Sequence, residues 1–137
     1  MSAASTGSKI LIQNMMHRAP LHLAGSDTVQ MAMRTMVDNH VSALPVIDED
    51  KCLIGIVALS DLMAIAGESE FVEVGDVMTE APVTANLGHP LMEAAGLMME
   101  HQLHHLPVVN SNKQLVGVVS SIDFVRLAAD GRLIPSG

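Results

Sequence analysis

The chain has 137 residues, about one domain's worth, and 49% of them are apolar, which excludes a disordered chain. Its formal net charge is −8, from 15 acids against 7 Lys plus Arg, with no basic cluster to track a phosphate backbone, so nucleic-acid binding is not expected. A single cysteine, Cys52, excludes an intrachain disulfide and suits a reduced, cytoplasmic setting, and no apolar run suits a signal peptide or reaches the about 20 residues of a spanning helix.

Two Phe and no Tyr or Trp make the core aliphatic, with eleven Met as flexible filler. In chain order, Ile10 to Met15 is predicted as a short lead-in helix, and a short extended piece follows Pro20. A helix is predicted over Thr28 to His40, with Val29, Met33, Met36 and Val37 at helical spacing. Strand Ala43 to Ile47 (ALPVI), the polar turn DEDK and strand Cys52 to Ala58 (CLIGIVA) come next, and a helix opens near Ser60. The same order then recurs. An extended piece follows Pro82, and a helix is predicted over Pro90 to Gln102, with Pro90 suited to the first turn. Strand His105 to Val109, the turn NSNK, strand Gln114 to Ser120 and a helix from near Ser120 complete the set. The first eight residues and the final IPSG carry little periodicity and are expected to be mobile.

A shift of 62 residues lays the chain on itself without a gap. Met16 meets Met78, Pro20 meets Pro82, Leu44-Pro45-Val46 meets Leu106-Pro107-Val108, Gly55 meets Gly117 and Asp61 meets Asp123. This is an internal duplication. Expected boundaries are 10–65 for the first repeat, 66–75 for a linker, 76–129 for the second repeat and 130–137 for a tail. The fold class is α/β (α+β), each repeat reading strand-helix-strand-strand-helix. One such unit of about 50 residues would be marginal alone, so the two are expected to pack together.

The segments GIVALSDL, Gly55 to Leu62, and GVVSSIDF, Gly117 to Phe124, differ at one telling place: Ala58 against Ser120. Ser120-x-x-Asp123 has the spacing of a capping box at a helix start. The same pair suits a ribose, since one carboxylate can accept from two neighbouring hydroxyls with a Ser hydroxyl beside it. The residues alone leave both roles open. In the first copy Ser60 can cap the helix, but the hydroxyl at the Ser120 position is lost. The run His101-x-x-His104-His105 raises the question of a metal, against which Leu106-Pro107 argues that the helix ends near His101. No nucleophile–base pair and no phosphate-cradling glycine loop with Lys is evident, so no enzyme and no obligatory cofactor are expected.

Taken together, QNMMHRAPLHL and GDVMTEAPVTA, the strands VSALPVIDED and LHHLPVVNSN, and the two Gly-to-Asp segments resemble a tandem pair of CBS domains, the regulatory module named after cystathionine beta-synthase. The resemblance covers about Gln13 to Ala129. It implies a pseudo-two-fold pair that usually forms a homodimer, binds AMP, ADP, ATP or S-adenosylmethionine between repeats, and regulates a separate protein target in energy sensing. Composition and charge, for their part, lead to the expectation of no membrane and no nucleic-acid partner. The family's ribose motif falls on Gly117, Ser120 and Asp123, with Ser121 and Ile122 between. It implies a crosswise arrangement, with His17, His22, Val41, Ser42 and Ala43 as the base-binding segment for Asp123. For Asp61 the corresponding residues are Thr79, Thr84, Leu103 and His104. His104 and His105 fall where some relatives place a basic pair on the phosphates, and Arg126 and Lys113 are further cations. Such histidines would hold phosphate better below about pH 6.5. The Ala58 copy is expected to be the weaker site. The alternative is a structural dimerisation or interaction module with no nucleotide.

Overall fold

The computed structural model describes residues 10–18, 20–68 and 71–131. The two chain ends that sequence patterning marks as mobile, and part of the 66–75 linker, lie outside these residues. The chain forms two compact units, one of residues 21–82 and the other combining the segment up to Pro20 with residues from Val83 onward. The unit boundaries therefore differ from the repeat boundaries, because each repeat's lead-in segment completes the other repeat's sheet.

In the unit of residues 21–82, β2 (Leu23–Ala24), α2 (Val29–Asn39), β3 (Ala43–Ile47), β4 (Leu53–Ala58) and α3 (Leu59–Met63) come from the first repeat. The lead-in of the second repeat adds α4 (Val74–Val77) and β5 (Thr79–Glu80). The sheet order is β2-β3-β4-β5, with β2 parallel to β3 and the other pairs antiparallel. The second unit repeats this plan. The lead-in α1 (Ile12–Met15) and β1 (His17–Arg18) join β6 (Ala85–Asn86), α5 (Leu91–His101), β7 (His105–Val109), β8 (Leu115–Ser120) and α6 (Ser121–Ala129). Its sheet order is β1-β8-β7-β6.

Local chemistry explains these elements. Thr28 caps α2 by accepting from the Met31 N–H at 3.1 Å, leaving Thr28 outside the helix. Pro90 is likewise the residue before α5, with its φ of −61° aiming the chain into the first turn. Both helices stop at a residue in the left-handed region, His40 at φ 56° and Gln102 at φ 55°, whose N–H groups satisfy carbonyls of the last turn. The hairpin turns are built alike. The Asp48 carboxylate accepts from the Asp50 and Cys52 N–H groups, and the Asn110 side chain accepts from Asn112 and Gln114, each at 2.9–3.0 Å.

The cores match position for position. Val29, Ala32, Met36, Leu44, Val46 and Val57 bury in one unit, and Leu91, Ala94, Met98, Leu106, Val108 and Val119 in the other. Ile12 and Met16 complete the second core from the lead-in segment, as Val74 does the first. The motif glycines admit this segment. A Cβ on Gly117 would lie 2.6 Å from the Met16 sulfur and 3.1 Å from the His17 carbonyl, and Gly55 stands in the same relation to Met78. The expected effect of Gly117→Ala is a loss of about 1–3 kcal/mol in denaturant unfolding, because Met16 and β1 must shift to make room. An unchanged midpoint would show that Met16 gives way freely.

Candidate functional site around Asp123

Ser120 ends β8 and is the N-cap of α6, which places Asp123 at the third helical position with its carboxylate folded back on the helix start. Oδ2 accepts from the Ser120 backbone N–H at 2.9 Å and from the Ser120 hydroxyl at 3.0 Å. Oδ1 meets His17 Nε2 at 3.0 Å. The Arg126 guanidinium stands 3.9 Å from the same oxygen, one helical turn on. Asp123 is 4% exposed and Ser120 7%. A carboxylate buried this far needs such donors to offset its desolvation.

Strand register gathers further residues. His105 lies opposite Ser120 across β7–β8. The His104 carbonyl accepts from the Ser121 N–H at 2.8 Å, tying the entry of β7 to the start of α6. The structure thus collects His17, His104, His105, Ser120, Ser121 and Asp123 within one unit, with Ile122 exposed on α6. His105 is exposed as a residue at the head of β7, yet partial desolvation of its imidazole lowers it from the ordinary value of 6.5; the neighbouring His104 lowers it further, while Asp123 pulls the other way. His105 therefore needs more acid than a free imidazole to become charged.

The other expected residues are divided between the two units. His22, Val41, Ser42, Ala43 and Asp61 belong to the unit of residues 21–82, and Thr84 to the unit that holds Asp123. Ala43 heads β3, and the Ser42 carbonyl accepts from the Leu59 N–H at 2.7 Å, as His104 does from Ser121. His22 lines an open hollow of about 470 Å³ with Ile47, Asp48, Lys51 and Ile54, whose walls do not include Val41, Ser42 or Ala43. One expectation needs correcting. Ser60 does not cap α3; the N-cap is Ala58, which has no side-chain bond to offer, and Ser60 lies inside the helix. The Ser42 bond to Leu59 starts this helix two residues earlier than Ser60 suggested. Asp61 is exposed, and among the described residues nothing bonds to its carboxylate.

Of the cations, Arg126 stands beside Asp123. Arg34 pairs loosely with Asp38 at 3.9 Å on its own helix, and Arg18 donates to the Gln13 carbonyl at 3.5 Å. Lys113 sits in the hairpin turn at φ 64°. α5 ends at His101, while His105 lies on β7. Among the described residues no group of three or more His, Cys, Asp or Glu could hold a metal. No described helix is long and apolar enough to cross a membrane. His17 is expected near Asp123 as part of the base-binding segment; what the sequence does not show is its direct bond to the carboxylate, made by residues 106 positions apart and set by the β1 register on Gly117 and Val118.

The sequence profile of the CBS domain matches residues 12–68 and 74–130. The chain belongs to the CBS domain family. It is 33% identical over 131 residues to the chloroplastic CBS domain-containing protein CBSX1 of Arabidopsis thaliana, covering 74% of this chain and 56% of that one. It is 35% identical over 103 residues to the inosine-5'-monophosphate dehydrogenase of Mycobacterium tuberculosis, covering 69% of this chain and 19% of the enzyme. The chain thus spans about half or less of these relatives. Among solved structures, CBSX2 in complex with AMP superposes with a TM-score of 0.79 at 29% identity, covering 88% of this chain and 96% of that one. A putative acetoin utilization protein of Vibrio cholerae gives 0.78 at 31% identity, covering 88% and 91%.

The histidine site yields a titration with a definite sign. By NMR, His105 is expected to titrate below 6.5. His104→Gln removes a lowering charge and should raise that midpoint, whereas Asp123→Asn removes the raising charge and should lower it. Opposite movements would mean that the imidazole and carboxylate are not coupled as described.

Proposed function

We propose that the chain is a non-catalytic regulatory module that takes an adenosine-containing ligand at Asp123 and signals to a separate protein partner. The observation that carries this reading is the buried Asp123 carboxylate beside Ser120, in a Gly117-x-x-Ser120-x-x-Asp123 segment that positions hydroxyl and carboxylate together. A vicinal diol offers two O–H donors to such an acceptor, and a desolvated, charge-assisted bond is stronger than one in water. The AMP held by CBSX2, at 29% identity to this chain, supports the ligand class. With a net charge of −8 and few basic side chains, a modestly charged ligand such as AMP suits the chain better than ADP or ATP, and S-adenosylmethionine suits it on charge. Arg126, beside Asp123, is a cation available to such a ligand. Ligand binding acts by favouring one of two arrangements that a cytoplasmic partner distinguishes.

A second reading, a structural homodimerisation or interaction module, draws on Ala58 in place of a hydroxyl and on exposed apolar side chains. These include Met31 and Val37 on α2, and Met92 and Met99 on α5.

Calorimetric titration with AMP, ADP, ATP and S-adenosylmethionine separates the two. The sensor reading expects binding that Asp123→Ala abolishes, that Ser120→Ala weakens about three- to tenfold, and that Asp61→Ala leaves nearly intact. Absence of heat and of thermal shift at millimolar ligand would favour the structural module.

A further inference from the structure

We infer that His17 is an internal occupant of Asp123, a positioning residue that must swing off the carboxylate before a ribose can be held there. This rests on the reading of Asp123 as the ligand's carboxylate. A carboxylate has about four lone-pair sites. Both sites of Oδ2 are taken by the backbone N–H and hydroxyl of Ser120. One site of Oδ1 is taken by His17, and Arg126 crowds the same oxygen at 3.9 Å. A vicinal diol brings two donors, and the resting carboxylate has room for one at most.

The histidine is the partner that can leave. Its backbone is pinned, since β1 pairs with Val118 and Gly117 and Met16 lies across Gly117. Its side chain is 63% exposed, so rotating the imidazole uncovers the carboxylate without disturbing the core, whereas Ser120 and Asp123 are fixed at a helix start. The equivalent lead-in position in the other unit is Thr79, which is exposed, and Asp61 there carries no such occupant among the described residues. The occupant is a property of the Asp123 site alone.

An occupied site binds with an affinity reduced by the fraction of time it stands open. Removing the imidazole should therefore tighten binding, the opposite of deleting a ligand contact. The other groups facing the carboxylate, Arg126 and His105 with His104 beside it, are common to wild type and variant.

The experiment is AMP titration of wild type, His17→Ala, Asp123→Asn and the double variant under one set of conditions. His17→Ala is expected to bind AMP about three- to tenfold tighter, with no gap in the Asp123→Asn background. Binding by His17→Ala where wild type shows none also supports the occupant. Equal or weaker binding by His17→Ala, with wild-type binding still dependent on Asp123, overturns the occupant and leaves the sensor reading standing. Wild-type affinity retained in Asp123→Asn overturns the assignment of Asp123, and no binding by either wild type or His17→Ala overturns both. His17→Gln, which keeps a donor on a flexible stem, should fall between wild type and His17→Ala.

Discussion

Met16 lies across Gly117, and most of the site geometry follows from that crossing. The bare glycine lets the lead-in backbone approach β8 closely enough to pair with it, placing His17 opposite Val118. From there the imidazole reaches a carboxylate 106 positions away in sequence. Met78 and Gly55 repeat the crossing in the other unit, so the rule is written twice. The glycine at the head of the motif serves the lead-in strand, while the serine and aspartate at its end serve the helix start. One eight-residue segment thus joins a packing constraint to a polar site.

The duplicated frame makes the differences between the copies informative. Both copies tie the residue entering the hairpin to the start of the closing helix, through the Ser42 and His104 carbonyls. Ser120 then adds a hydroxyl that fixes the Asp123 carboxylate, and the group is buried. Ala58 adds nothing, and Asp61 stands in solvent. A closely similar helix start therefore supports a desolvated, preorganised acceptor in one unit and a solvated one in the other. In the buried case electrostatic contacts are stronger and their partners more constrained.

Most of the fold was legible because it rests on local periodicity and on repetition. The strands at Ala43 and His105, the hairpin turns and the long helices end within a residue or so of where spacing and turn chemistry put them. The start of α3 was misplaced because Ser60 is a good cap in isolation, and the Ser42–Leu59 bond that overrides it joins two segments. The membership of the units was not legible either. Nothing in the composition of HRAP says that His17 and Arg18 extend the sheet of the second repeat, because that choice depends on the bare face of Gly117 a hundred residues on. Ser120 and Asp123 could be paired by their spacing, whereas the third partner, His17, could be placed on the carboxylate only in three dimensions.

The exchange of lead-in segments also bears on how such a chain could have arisen and how it can be divided. A single copy cut where its own sequence repeat begins and ends would carry a lead-in helix with no sheet edge to join. It would also lack the segment that covers its own glycine. Two identical copies could complete each other only by trading those segments, so a reciprocal dimer of single repeats is a workable ancestor and an isolated repeat is not. Fusion into one chain makes the trade permanent and frees the two copies to diverge, as Ala58 and Ser120 have done. A half-protein meant to fold alone should follow the spatial units, joining the segment before Pro20 to residues from Val83 onward, and not the boundaries of the repeats.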